Sequence, residues 1–182
     1  AKDLNQYTLE TVRSKIGVIL QDVFLFADTI FNNITLYNKD ITMKNVENAA
    51  KELEIHDFIN SLPGGYSFNV SERGDTLSAG QKQLWAFLRV LVNNPDILIL
   101  DEATSSIDSY SEELIKNATK KITKDKTSII IAHRLSTIES ADKIIYMENG
   151  KILESGNHKQ LLSISNGKFK KLYEEQFVEE LV

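Results

Sequence analysis

The sequence contains no cysteine, and this absence removes several kinds of chemistry at once. Disulfide bonds, zinc sites built on thiolates and catalysis by a thiol all need that residue. There is no excess of basic residues either: 21 Lys and Arg face 26 Asp and Glu, for a formal net charge of −5. A surface for DNA or RNA is therefore not expected, because binding to phosphates rests on clustered cations. No apolar run approaches the roughly 20 residues of a membrane span.

The overall composition is that of a globular domain. Hydrophobic residues make up 42% of the 182 positions and charged residues 26%. This length is sufficient for one domain with a real core, or for one domain built of two subdomains.

Strand patterns alternate with helix patterns along the chain. Strands are predicted at residues 16–20, 97–100 and 128–132, followed by a hairpin at 143–147 and 151–154. Helices are predicted over residues 42–62, from Ser78 to about 92, from Ser109 onward, and over 168–181. The two apolar runs at 97–100 and 128–132 are typical of parallel strands buried in an α/β fold. The stretch from 22 to 94 has no strand pattern and is interpreted as a helical insertion into the sheet.

The segment L-S-A-G-Q at residues 77–81 stands directly before an amphipathic helix. Ser78, Gly80 and the free N–H groups of a helix N-terminus can together bind a phosphate. Glycine lets the phosphate approach the backbone closely. Taken alone, however, Ser78 is an ordinary helix N-cap.

The apolar strand at 97–100 runs directly into Asp101 and Glu102. Ligands of α/β proteins bind at the carboxyl ends of the strands, where these two carboxylates lie. At such a position Asp101 can hold Mg²⁺ through water, and Glu102 can activate a water molecule. On their own, two acidic residues after a buried strand are better explained as an acidic helix N-cap.

Together the two segments resemble the signature motif, which includes Gln81, and the Walker B motif of an ABC-type ATPase domain. The resemblance implies ATP and Mg²⁺ as ligands and three further site residues. Gln21 is similar to the Q-loop glutamine, which joins the Mg²⁺ or water shell. His133, within I-A-H-R-L-S-T, resembles the switch histidine that contacts the γ-phosphate. Asp108, within S-S-I-D, resembles the aspartate of the D-loop, which crosses the dimer of two such domains.

One motif of such an ATPase is absent from this sequence. The P-loop requires G-x-x-x-x-G-K-[ST], and neither Gly-Lys pair of the chain, at 150–151 and 167–168, fits that pattern. The chain is therefore expected to be the part of a RecA-like P-loop NTPase that follows the loop, without the N-terminal strands. Residues 1–21 and 95–167 form the remnant of the core, 22–94 the helical signature subdomain and 168–182 a peripheral helix. The isolated chain is expected not to hydrolyse ATP.

Two stretches point to the exporter type of this family. Residues 24–34 resemble the segment after the Q-loop of ABC exporters, and S-E-R-G at 71–74 resembles an element that contacts the coupling helices of the membrane domain. The resemblance implies a head-to-tail dimer of ATPase domains at the cytoplasmic face of the membrane.

Two alternatives remain, a soluble ABC ATPase and a non-catalytic half-site that completes a competent partner. The isolated chain is also expected to oligomerise, because its apolar strands make a poor free edge.

Overall fold

The computed structural model describes residues 3–70, 77–101, 109–132 and 135–179, and the chain divides into two compact units, Ala1–Ile131 and Ala132–Val182. The described helices of the first unit are α1 Leu9–Lys15, α2 Ile30–Thr35, α3 Met43–Glu52, α4 His56–Ser61, α5 Ala79–Asn93 and α6 Ser109–Thr123. Its strands are β1 Ile16–Ile19, β2 Ile97–Asp101 and β3 Thr127–Ile131. The second unit contains α7 Leu135–Glu139, β4 Ile144–Glu148, β5 Lys151–Gly156, α8 His158–Leu162 and α9 Lys168–Glu179.

The three strands of the first unit form a parallel sheet in the order β1-β2-β3. Ile19 lies opposite Leu100, and Asp101 lies opposite Ile131. Helices α2 to α5 lie between β1 and β2 in the chain, and α6 lies between β2 and β3. The predicted parallel α/β sheet with a helical insertion is therefore confirmed, and β2 is its central strand.

Among the described residues, the buried side chains of this sheet lie on one of its faces. Leu98 and Leu100 belong to an apolar core that also contains residues of α5 and α6. The opposite face carries Val18, Ile129 and Ile131, which are 49%, 56% and 51% exposed. The sequence prediction that residues 128–132 form a buried strand is wrong, because an apolar run does not show what covers each face of a sheet.

In the helical part of the first unit, side-chain caps mark where helices begin, and large apolar residues pack in the core. Helix α3 begins after Thr42, whose side chain accepts from the N–H of Asn45 in a capping box. Helix α5 brings Trp85 and Phe87 into the core, where they are 1% and 0% exposed. The predicted helix over residues 42–62 is divided into α3 and α4, because Glu54 takes a left-handed backbone conformation with φ of 62°.

The first helix was not predicted, since the sequence analysis assigned no helix before residue 16. Helix α1 has no buried residue, so it carries no apolar period. Its local signals are Thr8, which accepts from the N–H of Thr11 as N-cap, and Glu10 in the first turn.

The second unit is a hairpin followed by two helices. Strands β4 and β5 pair antiparallel, as predicted, around a turn in which Asn149 and Gly150 have positive φ. The carboxylate of Glu154 accepts from the N–H groups of Lys168 and Phe169 and so caps the predicted tail helix α9. In the part of the chain that the structure describes, no helix has both the length and the apolar character needed to cross a membrane.

Candidate functional site

The parallel register brings Gln21 and Asp101 to the same end of the sheet. Strand β1 ends at Ile19, two residues before Gln21, and its neighbour β2 ends at Asp101 itself. Gln21 is exposed and Asp101 half-buried, so both side chains are accessible to a ligand. In open α/β sheets this edge, outside the carboxyl ends of the strands, is where ligands bind.

These two residues offer oxygen donors only, a carboxylate and an amide carbonyl. Such donors suit Mg²⁺, which keeps several waters and binds through one or two carboxylates together with the phosphates of a substrate. Among the described residues, no group of three or more His, Cys, Asp or Glu could enclose a metal ion. The donor set fits an ion that arrives with a nucleotide better than an ion held by protein ligands alone.

Ser78 is the N-cap of α5, as predicted. Its Oγ accepts from the N–H of Gln81 at 3.2 Å, while the Gln81 Oε1 accepts from the N–H of Ser78 at 3.0 Å. A hydroxyl that accepts one hydrogen bond still has its own proton to donate. Ser78 is exposed and Gly80 is buried within the first turn. The helix start therefore presents a hydroxyl donor and first-turn N–H groups, the combination that binds anions.

Three predicted site residues, Glu102, Asp108 and His133, lie outside the described residues, as do residues 71–74. Glu102 directly follows Asp101 in the chain. The assignments of these residues remain predictions.

The segment after Gln21 carries an exposed aromatic pair. Phe24 and Phe26 are 57% and 47% exposed, and their rings meet edge to face with centroids 5.1 Å apart. Leu25 between them is fully buried, so the extended chain anchors itself with one side chain and presents its two neighbours outward. Solvent-exposed aromatic pairs of this kind are typical of contact surfaces.

A hydrogen-bonded carboxylate fixes the end of the same segment. The side chain of Asp28 accepts from the hydroxyl of Tyr37, from the Asn32 amide and from the N–H of Thr29. The bond from Tyr37 is the largest of the effects that hold the pKa of Asp28 below its usual value. The same bond raises the pKa of Tyr37.

Sequence reasoning assigned no individual role to two polar residues beside this site, Arg89 and Asn33, although Asn33 belongs to the exporter-like segment 24–34. Both belong to helices, and both donate to backbone carbonyls of the segment after Gln21. The only hint that the sequence offers for such residues is a polar side chain within an otherwise apolar helix face, and this hint is weak. The acceptors of Arg89 are identified only by the fold, because Phe24 and Asn33 lie 65 and 56 positions away from it in the sequence.

Comparison with known proteins gives consistent matches. The ABC transporter family model matches residues 1–105. A protein of Bacillus subtilis (strain 168), named for multidrug export as an ATP-binding/permease protein, is 48% identical over 88% of this chain and 28% of its own length. A similarly named protein of Staphylococcus aureus (strain NCTC 8325) is 46% identical over 94% of the chain and 29% of its own length.

The solved structure of a bacterial Atm1-family ABC exporter with ATP bound resembles the chain at a TM-score of 0.85 and 39% identity. The match covers 96% of this chain and 30% of that structure. The chain thus spans less than a third of the length of these relatives.

Proposed function

This chain belongs to the ABC transporter family, and we propose that it is the C-terminal portion of an ATP-binding and ATP-hydrolysing domain that drives export across a membrane. The single observation that carries the proposal is the register of β1 and β2, which brings Gln21 and Asp101 to one end of the sheet. The names of the relatives, which describe export, support the direction of transport.

In this proposal each polar group has one task. Asp101 and Gln21 supply oxygen ligands to Mg²⁺, which would neutralise charge on the phosphates of ATP. Glu102 polarises the water that attacks the γ-phosphate, and His133 donates a hydrogen bond to the γ-phosphate oxygens.

The signature residues serve a second nucleotide. Ser78, Gly80, Gln81 and Asp108 would face ATP held by a second ATPase domain, so the proposed assembly is a head-to-tail dimer. The capping box supports this role, because it fixes the Ser78 hydroxyl at the start of α5. The helix N-terminus adds the positive end of its dipole, which favours a bound phosphate.

We further propose a membrane domain as the second partner, with the ATPase domain at its cytoplasmic face. The exposed pair Phe24 and Phe26 supplies apolar area next to Gln21, where a contact could respond to the nucleotide. We propose the same division of the chain as above: core residues 1–21 and 95–167, helical subdomain 22–94 and peripheral helix 168–182.

The chain alone should neither bind nor hydrolyse ATP, because its sequence lacks the P-loop that cradles the β- and γ-phosphates. Calorimetric titration of the chain with Mg-ATP is expected to show no binding at millimolar nucleotide. Fusion to a P-loop-bearing segment should restore binding and hydrolysis, and Glu102→Gln in that fusion should abolish hydrolysis while binding persists. Micromolar binding by the unfused chain would show that the account of phosphate recognition is wrong.

A further inference from the structure

Arg89, on α5, reaches across to the segment that follows Gln21. Its Nε donates to the carbonyl of Asn33 at 2.6 Å, and its Nη1 donates to the carbonyl of Phe24 at 2.9 Å. A third bond runs from Nη2 to the Oδ1 of Asn33 at 3.3 Å. A planar guanidinium offers several donors in a rigid fork, so one side chain fixes two separate pieces of backbone.

Asn33, on α2, extends this contact. It is 1% exposed, and its Nδ2 donates to the carbonyls of Phe26, Asp28 and Thr29 at 3.0, 3.3 and 3.1 Å. Its Oδ1 accepts from the N–H of Phe26 at 2.9 Å. Arg89 and Asn33 together therefore hold the backbone from Phe24 to Thr29; we call this pair of residues the clasp.

The clasp acts on a segment that has little other regular structure. Residues 20–28 form neither a helix nor a strand, so their amides and carbonyls depend on irregular contacts. Burial lowers the pKa of Arg89, and a buried cation is costly unless its donors are matched. The three acceptors described above take up three of its five N–H donors. Among the described residues, the half-buried Arg89 donates to neutral amide oxygens, so it orders the backbone rather than pairing a charge.

We infer that Arg89 is a positioning residue for Gln21: it fastens the segment that carries this glutamine to α5, the helix whose N-cap is Ser78. Helix α5 then holds both Gln21, proposed to serve the nucleotide of its own domain, and Ser78, proposed to contact the nucleotide of the second domain. The role of Gln21 rests on the function proposed above, whereas the clasp itself is independent of ATP. Arg89 is not expected to contact the nucleotide.

The competing explanation is that Leu25 alone anchors the segment, since it is fully buried in the core. If apolar packing were sufficient, loss of the guanidinium would leave residues 21–24 as ordered as before. If the clasp is needed, its loss would free the backbone between β1 and Leu25 while the core stays intact. Mobility next to Gln21 separates the two cases.

The absence of cysteine makes this mobility measurable with a single nitroxide label. One labelled form carries Asp22→Cys, adjacent to Gln21, and a reference form carries Lys116→Cys on the exposed side of α6. Each is combined with Arg89→Gln, with Arg89→Lys, or with Arg13→Gln as matched control. Arg13 is an exposed arginine on α1, so its substitution removes the same charge from a site without the clasp.

With Arg89→Gln we expect the mobile population at residue 22 to rise about tenfold, the change that follows loss of one net hydrogen bond from a charged donor. The label at residue 116 should not change. Arg89→Lys, which keeps the charge but not the fork, should give a smaller rise. Arg13→Gln should leave both spectra unchanged.

An unchanged spectrum at residue 22 in Arg89→Gln would overturn the inference, and so would equal changes at residues 22 and 116, which indicate a general structural role. Thermal unfolding shows whether Arg89→Gln folds. If it does not, the spectra at residues 22 and 116 are compared in Arg89→Lys instead. A spectrum at residue 22 identical to that of the parent then overturns the inference. These spectra are recorded without nucleotide. A failure here therefore leaves the ATP-binding proposal standing, and a failure of the calorimetric test leaves the clasp standing.

Discussion

At the scale of single residues, Gly17 shows how closely the sheet and α5 approach each other. A Cβ at this position would lie 2.7 Å from the Cγ of Pro95 and 3.4 Å from a methyl carbon of Val90. Real Cβ atoms do not approach a ring carbon that closely, and a proline ring has little freedom to move away. Gly17 is therefore needed for space between β1 and the connection from α5 to β2.

Gly17→Ala should lower the free energy of unfolding by about 1–3 kcal/mol, the usual cost of overpacking a core. Urea denaturation monitored by the fluorescence of Trp85, the one tryptophan of the chain, would measure this change. In Gly17→Ala combined with Pro95→Ala, the loss should be smaller than the sum of the two single losses. Additive losses would show that the contact with Pro95 is not the cause.

The same scale shows which site residues a sequence can reveal. Ser78 was identified because its cap is local, with its partner Gln81 three positions away. Arg89 was not identified, because its acceptors at Phe24 and Asn33 are 65 and 56 positions away. A pattern along one helix contains no information on distant backbone carbonyls, so the part that Arg89 plays in the clasp required the fold.

At the scale of elements, two helices of the first unit begin with the same device. Thr42 with Asn45 at α3, and Ser78 with Gln81 at α5, each form a capping box with reciprocal bonds. The local structure is equivalent, but only α5 is proposed to present its N-terminus to a nucleotide. A comparison of the two capping boxes can therefore distinguish the structural role of a cap from a role in ATP binding.

Ser78→Ala and Thr42→Ala should each lower the free energy of unfolding by about 1 kcal/mol, because each leaves a first-turn N–H without its acceptor. Urea denaturation would compare the two. In a fusion that carries a P-loop, only Ser78→Ala should also slow ATP hydrolysis. An equal loss of activity with Thr42→Ala would assign the effect to helix stability rather than to phosphate binding.

The predictability of the elements follows their burial. Strand β2 and helix α5 were predicted because a long apolar run or a periodic face marks them, and the hairpin was marked by Asn149-Gly150. Helices α1 and α2 were not assigned individually, since seven and six residues are too few to establish a period. The break between α3 and α4 depends on Glu54, which adopts a conformation that its residue type does not signal.

At the scale of the whole molecule, the described part of the first unit covers the parallel sheet on one face. Register places Val18, Ile99 and Ile129 side by side, and Leu20 follows on the same face at 59% exposure. Parallel sheets are ordinarily covered on both faces. The sequence could not reveal this, because a strand reads the same whether a segment of its own chain or another molecule covers it.

The chain should therefore self-associate, since burial of this face gains about 25 cal/mol for each Å² of apolar surface. Light scattering across a concentration series is expected to show oligomers, which Ile129→Lys should shift toward the monomer by placing a charge on the exposed face. Leu9→Lys is the matched control, because Leu9 is also exposed, at 64%, but belongs to α1 rather than to a strand of the sheet. Monomers at high concentration would contradict the expectation. Equal effects of the two variants would show that general surface charge, rather than the sheet face, controls association.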